Sequence, residues 1–111
     1  MIKFFLTLVF SIAMSFSSTQ ANLAYITNEK DNTVSVIDIK KKKVINTVKV
    51  GQRPRGIIMS KDGKLVLICA SDDDRVEVRD AKTMKLKYHL PSGPDPELFI
   101  LSPDDETLYI A

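Results

Sequence analysis

The sequence repeats itself every 42 residues, and this period constrains the fold more than any other feature. A shift of 42 without a gap places NTVSVID (32–38) on DRVEVRD (74–80) and GQRPR (51–55) on GPDPE (93–97). The copies span residues 24–65 and 66–107, and the start of a third occupies 108–111. A fixed period of roughly 20 to 50 residues indicates stacked copies of one structural unit.

Each copy reads as four short β-strands joined by turns. VSVID and VEVRD alternate apolar with polar residues, as half-buried strands do, whereas LVLIC (65–69) is apolar throughout, as in a strand covered on both faces. Segments 43–50 and 85–92 each predict a further strand, and KDGK (61–64) is typical of a tight turn. We therefore predict an all-β fold: a β-propeller fragment of about two four-stranded antiparallel blades plus the start of a third, with the ring not closed.

Residues 1–21 read as a secretory signal peptide, which leaves residues 22–111 as the incomplete propeller. A short basic start precedes an apolar run, Phe4 to Phe16, and small polar residues follow up to Ala21. This order is typical of exported proteins, and the run is shorter than the about 20 residues needed to span a bilayer. We expect cleavage between Ala21 and Asn22 and a periplasmic or secreted product with no membrane association after cleavage.

Charge is distributed unevenly along the chain. Residues 22–64 contain ten Lys/Arg and four Asp/Glu, whereas residues 65–111 contain five and ten. The overall balance is near zero, and the pattern lacks the extended basic surface of nucleic-acid-binding proteins. We interpret the run Lys40–Lys43 as a hairpin tip whose charge keeps a sheet edge soluble, and we expect no nucleic-acid partner.

The loops give one candidate binding surface. In a propeller, the loops that enter the innermost strands and those between the second and third strands lie on one rim. The predicted rim surface consists of charged residues of the two copies: Arg53, Arg55, Asp72, Asp73, Asp74, Asp95 and Glu97. The repeat sets Arg53 opposite Asp95 and Arg55 opposite Glu97. Two interpretations stay open: a site for a small anionic or zwitterionic ligand or a partner protein, and inter-blade ion pairs among solvated hairpins, which we favour.

We predict no catalytic, metal-ligating or cofactor-binding residue. Three adjacent acids in the tight hairpin 72–74 cannot all face one ion, and the loop lacks the glycine and terminal glutamate of an EF-hand. His89 is expected to face solvent from an outermost strand, and Cys69 is expected to be buried as a small apolar residue. The chain has no nucleophile elbow, zinc spacing or phosphate loop.

Several segments resemble known propellers. AYITN, VSVID, GQRPRGI and SKDGK resemble the YVTN family, and RPRGI, CASDDD and SGPDPELFILSPD resemble the exported β-propeller proteins associated with pyrroloquinoline-quinone (PQQ)-dependent alcohol catabolism. The resemblance implies a non-catalytic protein that binds or scaffolds periplasmic quinoprotein dehydrogenase components. It links PQQ to the chain only through the pathway, since the chain has no tryptophan to stack on that planar cofactor.

Two other functions stay open. One is a propeller enzyme of the lactonase or quinoprotein dehydrogenase type whose active groups lie in blades missing from this sequence, and the other is a nonfunctional fragment. Members of the resembled family are several times longer, so we expect both end blades to be incomplete and two apolar faces to be open. The lost burial is on the order of 10 kcal/mol per face, similar to the stability of a whole domain. We therefore expect missing blades or self-association to cover these faces, and we do not expect a stable monomer.

Overall fold

A computed structural model describes residues 22–111, so the predicted signal peptide and the Ala21 side of its cleavage site lie outside the described residues. A short 3₁₀ turn at Ser71–Asp73 is the single helical element of this part of the chain, and no helix there has the length and apolarity to cross a bilayer. The strands are β1 (Leu23–Asn28), β2 (Thr33–Asp38), β3 (Lys43–Lys49), β4 (Pro54–Met59), β5 (Leu65–Ala70), β6 (Arg75–Asp80), β7 (Leu86–Pro91), β8 (Phe99–Leu101) and β9 (Leu108–Ile110).

The strands form three antiparallel sheets, which we name blades one, two and three. Their strand orders are β1-β2-β3, β4-β5-β6-β7 and β8-β9. The ends of β1 and β2 lie 42 residues before those of β5 and β6. Blade one therefore corresponds to the outer three strands of blade two, and blade three corresponds to its inner two. The prediction of an all-β propeller fragment of antiparallel blades with an unclosed ring is confirmed; of the two blades predicted before the start of the third, the first has three strands and the second has four.

The repeat also fixes the backbone conformation of the turns. Asn32 and Asp74 stand at equivalent positions and have φ angles of 55° and 51°, a left-handed conformation that Asn and Asp tolerate better than most residues. Their side-chain oxygens accept the backbone N–H groups of Arg53 and Asp95, each at 2.8 Å. In both copies, the same hydrogen bond thus joins a hairpin of one blade to the loop that enters the innermost strand of the next blade.

Two apolar interfaces hold the blades together. The first interface lies between blades one and two and is built on these buried residues: Val34, Val36, Val66, Ile68, Ala81 and Met84. The second interface lies between blades two and three and is built on Leu67, Cys69, Val76 and Val78, against which Phe99, Leu108 and Ile110 pack. Blade two therefore buries one face against blade one and the other against blade three.

The expectation of a solvated polar face on VEVRD is wrong for β6. Glu77 and Arg79 are 3% and 8% exposed, because the first interface covers the face on which they lie. The Arg79 Nε donates to Glu77 Oε2 at 2.7 Å, and its Nη1 donates to the Met84 carbonyl at 2.8 Å. Each buried charge has an opposite partner, which is the condition for tolerating it in an apolar layer.

Two blade faces are open, as the sequence predicts. Ile26 and Val44, on the face of blade one that points away from blade two, are 47% and 58% exposed. On the outward face of blade three, Leu98 and Ile100 are each 66% exposed and Tyr109 is 61% exposed. No described residue packs over either face.

Candidate functional site

The predicted site residues come together at one end of the blades. We call this end the upper rim, which consists of loops 29–32, 51–55, 71–75 and 92–97. The Ser71 backbone N–H donates to the Arg53 carbonyl at 3.2 Å, and its hydroxyl donates to the Pro96 carbonyl at 2.6 Å. Ser71 is 1% exposed, so a buried hydroxyl fixes the loop of blade two against the loop of blade three.

Arg53 joins two carboxylates that are 23 residues apart in sequence. Its Nε lies 2.7 Å from Asp72 Oδ1, and its Nη2 pairs with Asp95 of the next blade. The three side chains are 34%, 52% and 55% exposed. The predicted opposition of Arg53 and Asp95 is therefore confirmed as an ion pair between blades, although its exposure limits its contribution to stability.

Arg55 lies between two glutamates, as Arg53 lies between two aspartates, and the two arginines thus form two rows of charges. Its Nη1 pairs with Glu97, and its Nε lies 4.0 Å from Glu29 Oε1. The hydrogen bond to Glu97 raises the pKa of Arg55 above its ordinary value, so this group stays charged. The pairing with Glu97 is confirmed. Glu29 is absent from the predicted set because residue 71, its equivalent one repeat later, is a serine and gives no matching signal.

The three adjacent aspartates point to three different partners. Asp72 contacts Arg53 as described, while Asp73 Oδ2 accepts the Gln52 backbone N–H at 2.8 Å and lies 3.7 Å from Arg75 Nη2. The Asp74 carboxylate accepts the backbone N–H of Asp95. The 3₁₀ turn and the left-handed Asp74 turn the side chains apart, so this hairpin stabilises loops rather than gathering oxygen ligands.

Cys69 and His89 lie away from the upper rim. Cys69 is fully buried in the second interface, and this burial raises the pKa of its thiol to about 11. A thiol that stays protonated and inaccessible is a poor nucleophile. His89 lies on β7, the outermost strand of blade two, and is exposed. Both sequence predictions for these side chains are confirmed.

The electrostatics of the upper rim favour cationic groups. Both arginine side chains of the two rows already contact carboxylates, so an anionic ligand has to displace Glu97 or Asp95 to reach them. The outer carboxylates are about half exposed: Glu29 52%, Asp72 52%, Asp95 55% and Glu97 47%. Their free oxygens face solvent and can accept hydrogen bonds from a lysine or arginine of a docked protein.

Comparison with known proteins identifies the family. The cytochrome d1 heme domain model matches residues 5–97. This match covers most of the chain, and the chain belongs to that family. None of the curated proteins compared with the sequence matches it.

Solved structures share the fold over most of the chain. Hydrazine synthase from Kuenenia stuttgartiensis is 27% identical with a TM-score of 0.76, and the match covers 80% of this chain and 25% of that one. The dihydro-heme d1 dehydrogenase NirN, in complex with DHE, is 21% identical (TM-score 0.70; 86% and 21% covered). A functionally unknown protein from Desulfotomaculum acetoxidans DSM 771 is 18% identical (TM-score 0.69; 80% and 31% covered). This chain thus spans between a fifth and a third of each of these three structures, and none of the three is named for PQQ.

Proposed function

We propose that the chain is a non-catalytic, exported β-propeller protein whose upper rim docks a partner protein. We further propose that the partner is a component of a periplasmic quinoprotein alcohol-oxidation system. The observation that carries the docking proposal is the pair of charge rows on the rim, Asp72–Arg53–Asp95 and Glu29–Arg55–Glu97. The identity of the partner rests on the resemblance of the rim segments RPRGI and CASDDD to PQQ-associated propellers.

Two features of the rim support docking. The charged side chains are held by neighbouring blades, so little side-chain entropy is lost when a partner binds. The exposed carboxylates outnumber the arginines in the two rows, which gives a basic partner an electrostatic complement that favours rapid and specific association. A rim of this kind acts through its charge pattern and requires no reacting group.

The upper rim within residues 22–111 does not fit a heme or a PQQ molecule. Heme iron in proteins takes His, Cys, Met or Tyr as axial ligand, and none of the four rim loops contains one of these residues. The loops also lack Phe and Trp, so they offer no aromatic face for a planar cofactor. We therefore assign no cofactor to the described residues.

A second candidate function is heme binding by a larger propeller in which these blades form one part of the wall. It is favoured by the cytochrome d1 heme domain match over residues 5–97. In this case residues outside 22–111 hold the macrocycle. Titration of the full 111-residue chain with heme tests the assignment of no cofactor to residues 22–111. We expect no saturable shift of the Soret band, and a stoichiometric shift would overturn that assignment.

The docking proposal is tested by binding measurements on the full chain. Surface plasmon resonance against a purified quinoprotein alcohol dehydrogenase and its c-type cytochrome should show binding that weakens as salt increases. Glu29→Gln removes a rim charge that is only loosely tied to Arg55, and it should lower the association rate several-fold. Glu106→Gln, at the opposite end of blade three, is the matched control and should change nothing. Equal effects of the two variants, or no binding to either protein, would contradict the proposal.

The non-catalytic assignment is tested separately. The full chain should show no lactone hydrolysis and no dye-linked alcohol oxidation above the rate of a heat-denatured sample. An activity that disappears in the Arg53→Gln variant would instead support a propeller enzyme.

We also propose that the two open faces are covered in solution, by further blades or by a second copy of the chain. Exposed apolar patches of this kind mark interaction surfaces. Light scattering during gel filtration should give a mass above that of one chain, and Ile100→Lys should shift the distribution toward monomer. A monodisperse monomer with a sharp unfolding transition would overturn this proposal.

A further inference from the structure

The end of the blades opposite the upper rim is rich in lysine. Antiparallel pairing of Leu65 with Asp80 and of Arg79 with Leu86 puts hairpins 60–64 and 80–87 at this end of blade two. Hairpin 38–43 joins them, since loop 29–32 at the other end of blade one belongs to the upper rim. We call these three hairpins the lysine face. They carry nine lysines and three aspartates: Lys40, Lys41, Lys42, Lys43, Lys61, Lys64, Lys82, Lys85 and Lys87, with Asp38, Asp62 and Asp80.

Within the described residues the positive charge of this face exceeds its negative charge, nine lysines against three aspartates. Every salt bridge in residues 22–111 uses an arginine, and no lysine takes part in one. The three aspartates accept backbone N–H groups of their own hairpins. Asp80 accepts the backbone N–H groups of Lys82 and Thr83 at 2.9 and 2.8 Å, Asp62 accepts that of Lys64 at 2.9 Å, and Asp38 accepts that of Lys41 at 2.9 Å. Of the nine described lysine side chains, only that of Lys61 makes a hydrogen bond, which its ammonium donates to the Pro103 carbonyl.

Apolar side chains adjoin the lysines. Ile39, Val44 and Ile45 flank the four-lysine tip of blade one and are 53%, 58% and 52% exposed. In blade two, Lys64, Lys82 and Lys87 line a groove together with Asp62, Asp80 and Tyr88, and this tyrosine is 48% exposed. Clustered lysines with adjacent exposed aliphatic and aromatic groups are the composition that binds the interface of an anionic bilayer.

We propose that the lysine face binds the surface of a bilayer containing anionic phospholipids. The headgroup phosphates would pair with the free ammonium groups, while Ile39 and Ile45 would enter the headgroup boundary. Nucleic acid fits less well, because the face contains no exposed arginine and the aliphatic groups find no partner on a phosphate backbone. This proposal replaces the expectation, drawn from the sequence alone, of no membrane association after cleavage.

The lysine face ends at blade three. The equivalent hairpin of blade three carries Asp104, Asp105 and Glu106. Asp104 accepts the Ser102 hydroxyl and the Glu106 N–H, and Asp105 accepts the Lys61 N–H at 2.6 Å. Blade three thus contributes acidic groups where blades one and two contribute lysines, and the bilayer contact is confined to blades one and two.

The test is co-sedimentation of the full chain with vesicles of pure phosphatidylcholine or of phosphatidylcholine with 30% phosphatidylglycerol, at roughly physiological salt. We compare Lys40→Gln/Lys41→Gln on the lysine face with Lys30→Gln/Lys49→Gln, which removes the same charge at the other end of blade one. Residues 1–21 are common to both variants, so their own affinity for lipid cancels in the comparison. Free chain is sedimented without vesicles to correct for self-association.

The K40Q/K41Q variant should partition onto anionic vesicles about 30-fold less than the wild type, given ~1 kcal/mol per lysine near such a surface. The K30Q/K49Q control should change by less than about threefold. Ile45→Ser should weaken binding further without altering its salt dependence. Equal losses in the two double variants on anionic vesicles, or tighter binding to a DNA duplex than to anionic vesicles, would overturn the proposal.

Discussion

The two inter-blade interfaces are built from the same repeat, yet they use different chemistry. In the first interface, Tyr25 donates its hydroxyl to the Ala81 carbonyl at 3.0 Å, and Thr27 donates to the Arg55 carbonyl at 2.9 Å. The equivalent residues in the second interface are Leu67 and Cys69, which are 5% and 0% exposed. Hydrogen bonds at two positions of one copy are replaced by apolar burial in the next.

The opposite walls of the two interfaces share equivalent apolar residues: blade two presents Val66 and Ile68 to blade one, and blade three presents their equivalents Leu108 and Ile110 to blade two. Blade two also presents the Glu77–Arg79 pair to blade one. Apolar burial is non-directional, but a hydrogen bond requires a matching partner at one register. In the first interface Tyr25 and Thr27 make such hydrogen bonds between blades within the apolar layer, whereas the second interface is apolar at these positions and has its polar inter-blade contacts at the rim, such as Ser71 with Pro96.

Removing one partner of the buried Glu77–Arg79 pair in the first interface should have the largest effect. Glu77→Ala should destabilise the chain by about 3 to 5 kcal/mol, because it leaves the Arg79 charge buried without a partner. The double variant Glu77→Leu/Arg79→Met should lie within about 1.5 kcal/mol of the wild type. Urea unfolding followed by circular dichroism at one fixed protein concentration measures both. A single variant no less stable than the double one would show that the pair is not held as described.

Cys69 reports on the second interface. Its raised pKa, about 11 against an ordinary 9.0, lowers the thiolate fraction at pH 8 about 100-fold. Labelling by a disulfide reagent at pH 8 should therefore be at least that much slower in native buffer than in guanidinium. Leu108→Ala should accelerate native labelling, because it opens this interface, whereas Tyr25→Phe should not. A native rate within tenfold of the unfolded rate would contradict the burial of this thiol.

The hydrogen bond of Tyr25 should have a measurable but smaller effect. Tyr25→Phe leaves the Ala81 carbonyl without this donor and should cost about 1 kcal/mol in the same urea assay. Tyr109 occupies the equivalent position in the third copy, where it is 61% exposed. Tyr109→Phe is thus the matched control and should stay within about 0.5 kcal/mol of the wild type. Indistinguishable midpoints for the two variants would remove the distinction between the interfaces.

The smallest effect concerns acid stability. Hydrogen bonds from Ser60 and Ser102 are the main cause that lowers the pKa of Asp62 and Asp104. Since the folded-state pKa lies below the unfolded value of about 3.9, these bonds stabilise the fold above that pH and are lost as the pH falls through the folded-state pKa. The urea midpoint should fall on acidification below about pH 4, and Ser60→Ala/Ser102→Ala should flatten the fall. Ser92→Ala, whose hydroxyl contacts a backbone carbonyl, should leave it unchanged.

The sequence predicted the blade architecture well because propeller blades are local structures. Strand alternation, turn residues and the 42-residue shift all act over short distances, and β1, β2, β5 and β6 lie where that shift puts them. The opposition of Arg53 with Asp95 and of Arg55 with Glu97 followed from the same symmetry. The contact of Glu29 with Arg55 and the burial of Glu77 did not follow from the repeat, because neither glutamate has an equivalent of like chemistry in the neighbouring copy.

By itself the sequence determined the repeat, the all-β class, the turn positions and which charges face each other across the rim. Only the tertiary structure decided which face of β6 is buried, which interface has hydrogen bonds within its apolar layer, and that three hairpins far apart in sequence form one lysine face. The physical reason is that alternation records which residues share a face, while burial and electrostatic potential depend on what the neighbouring blade places against that face.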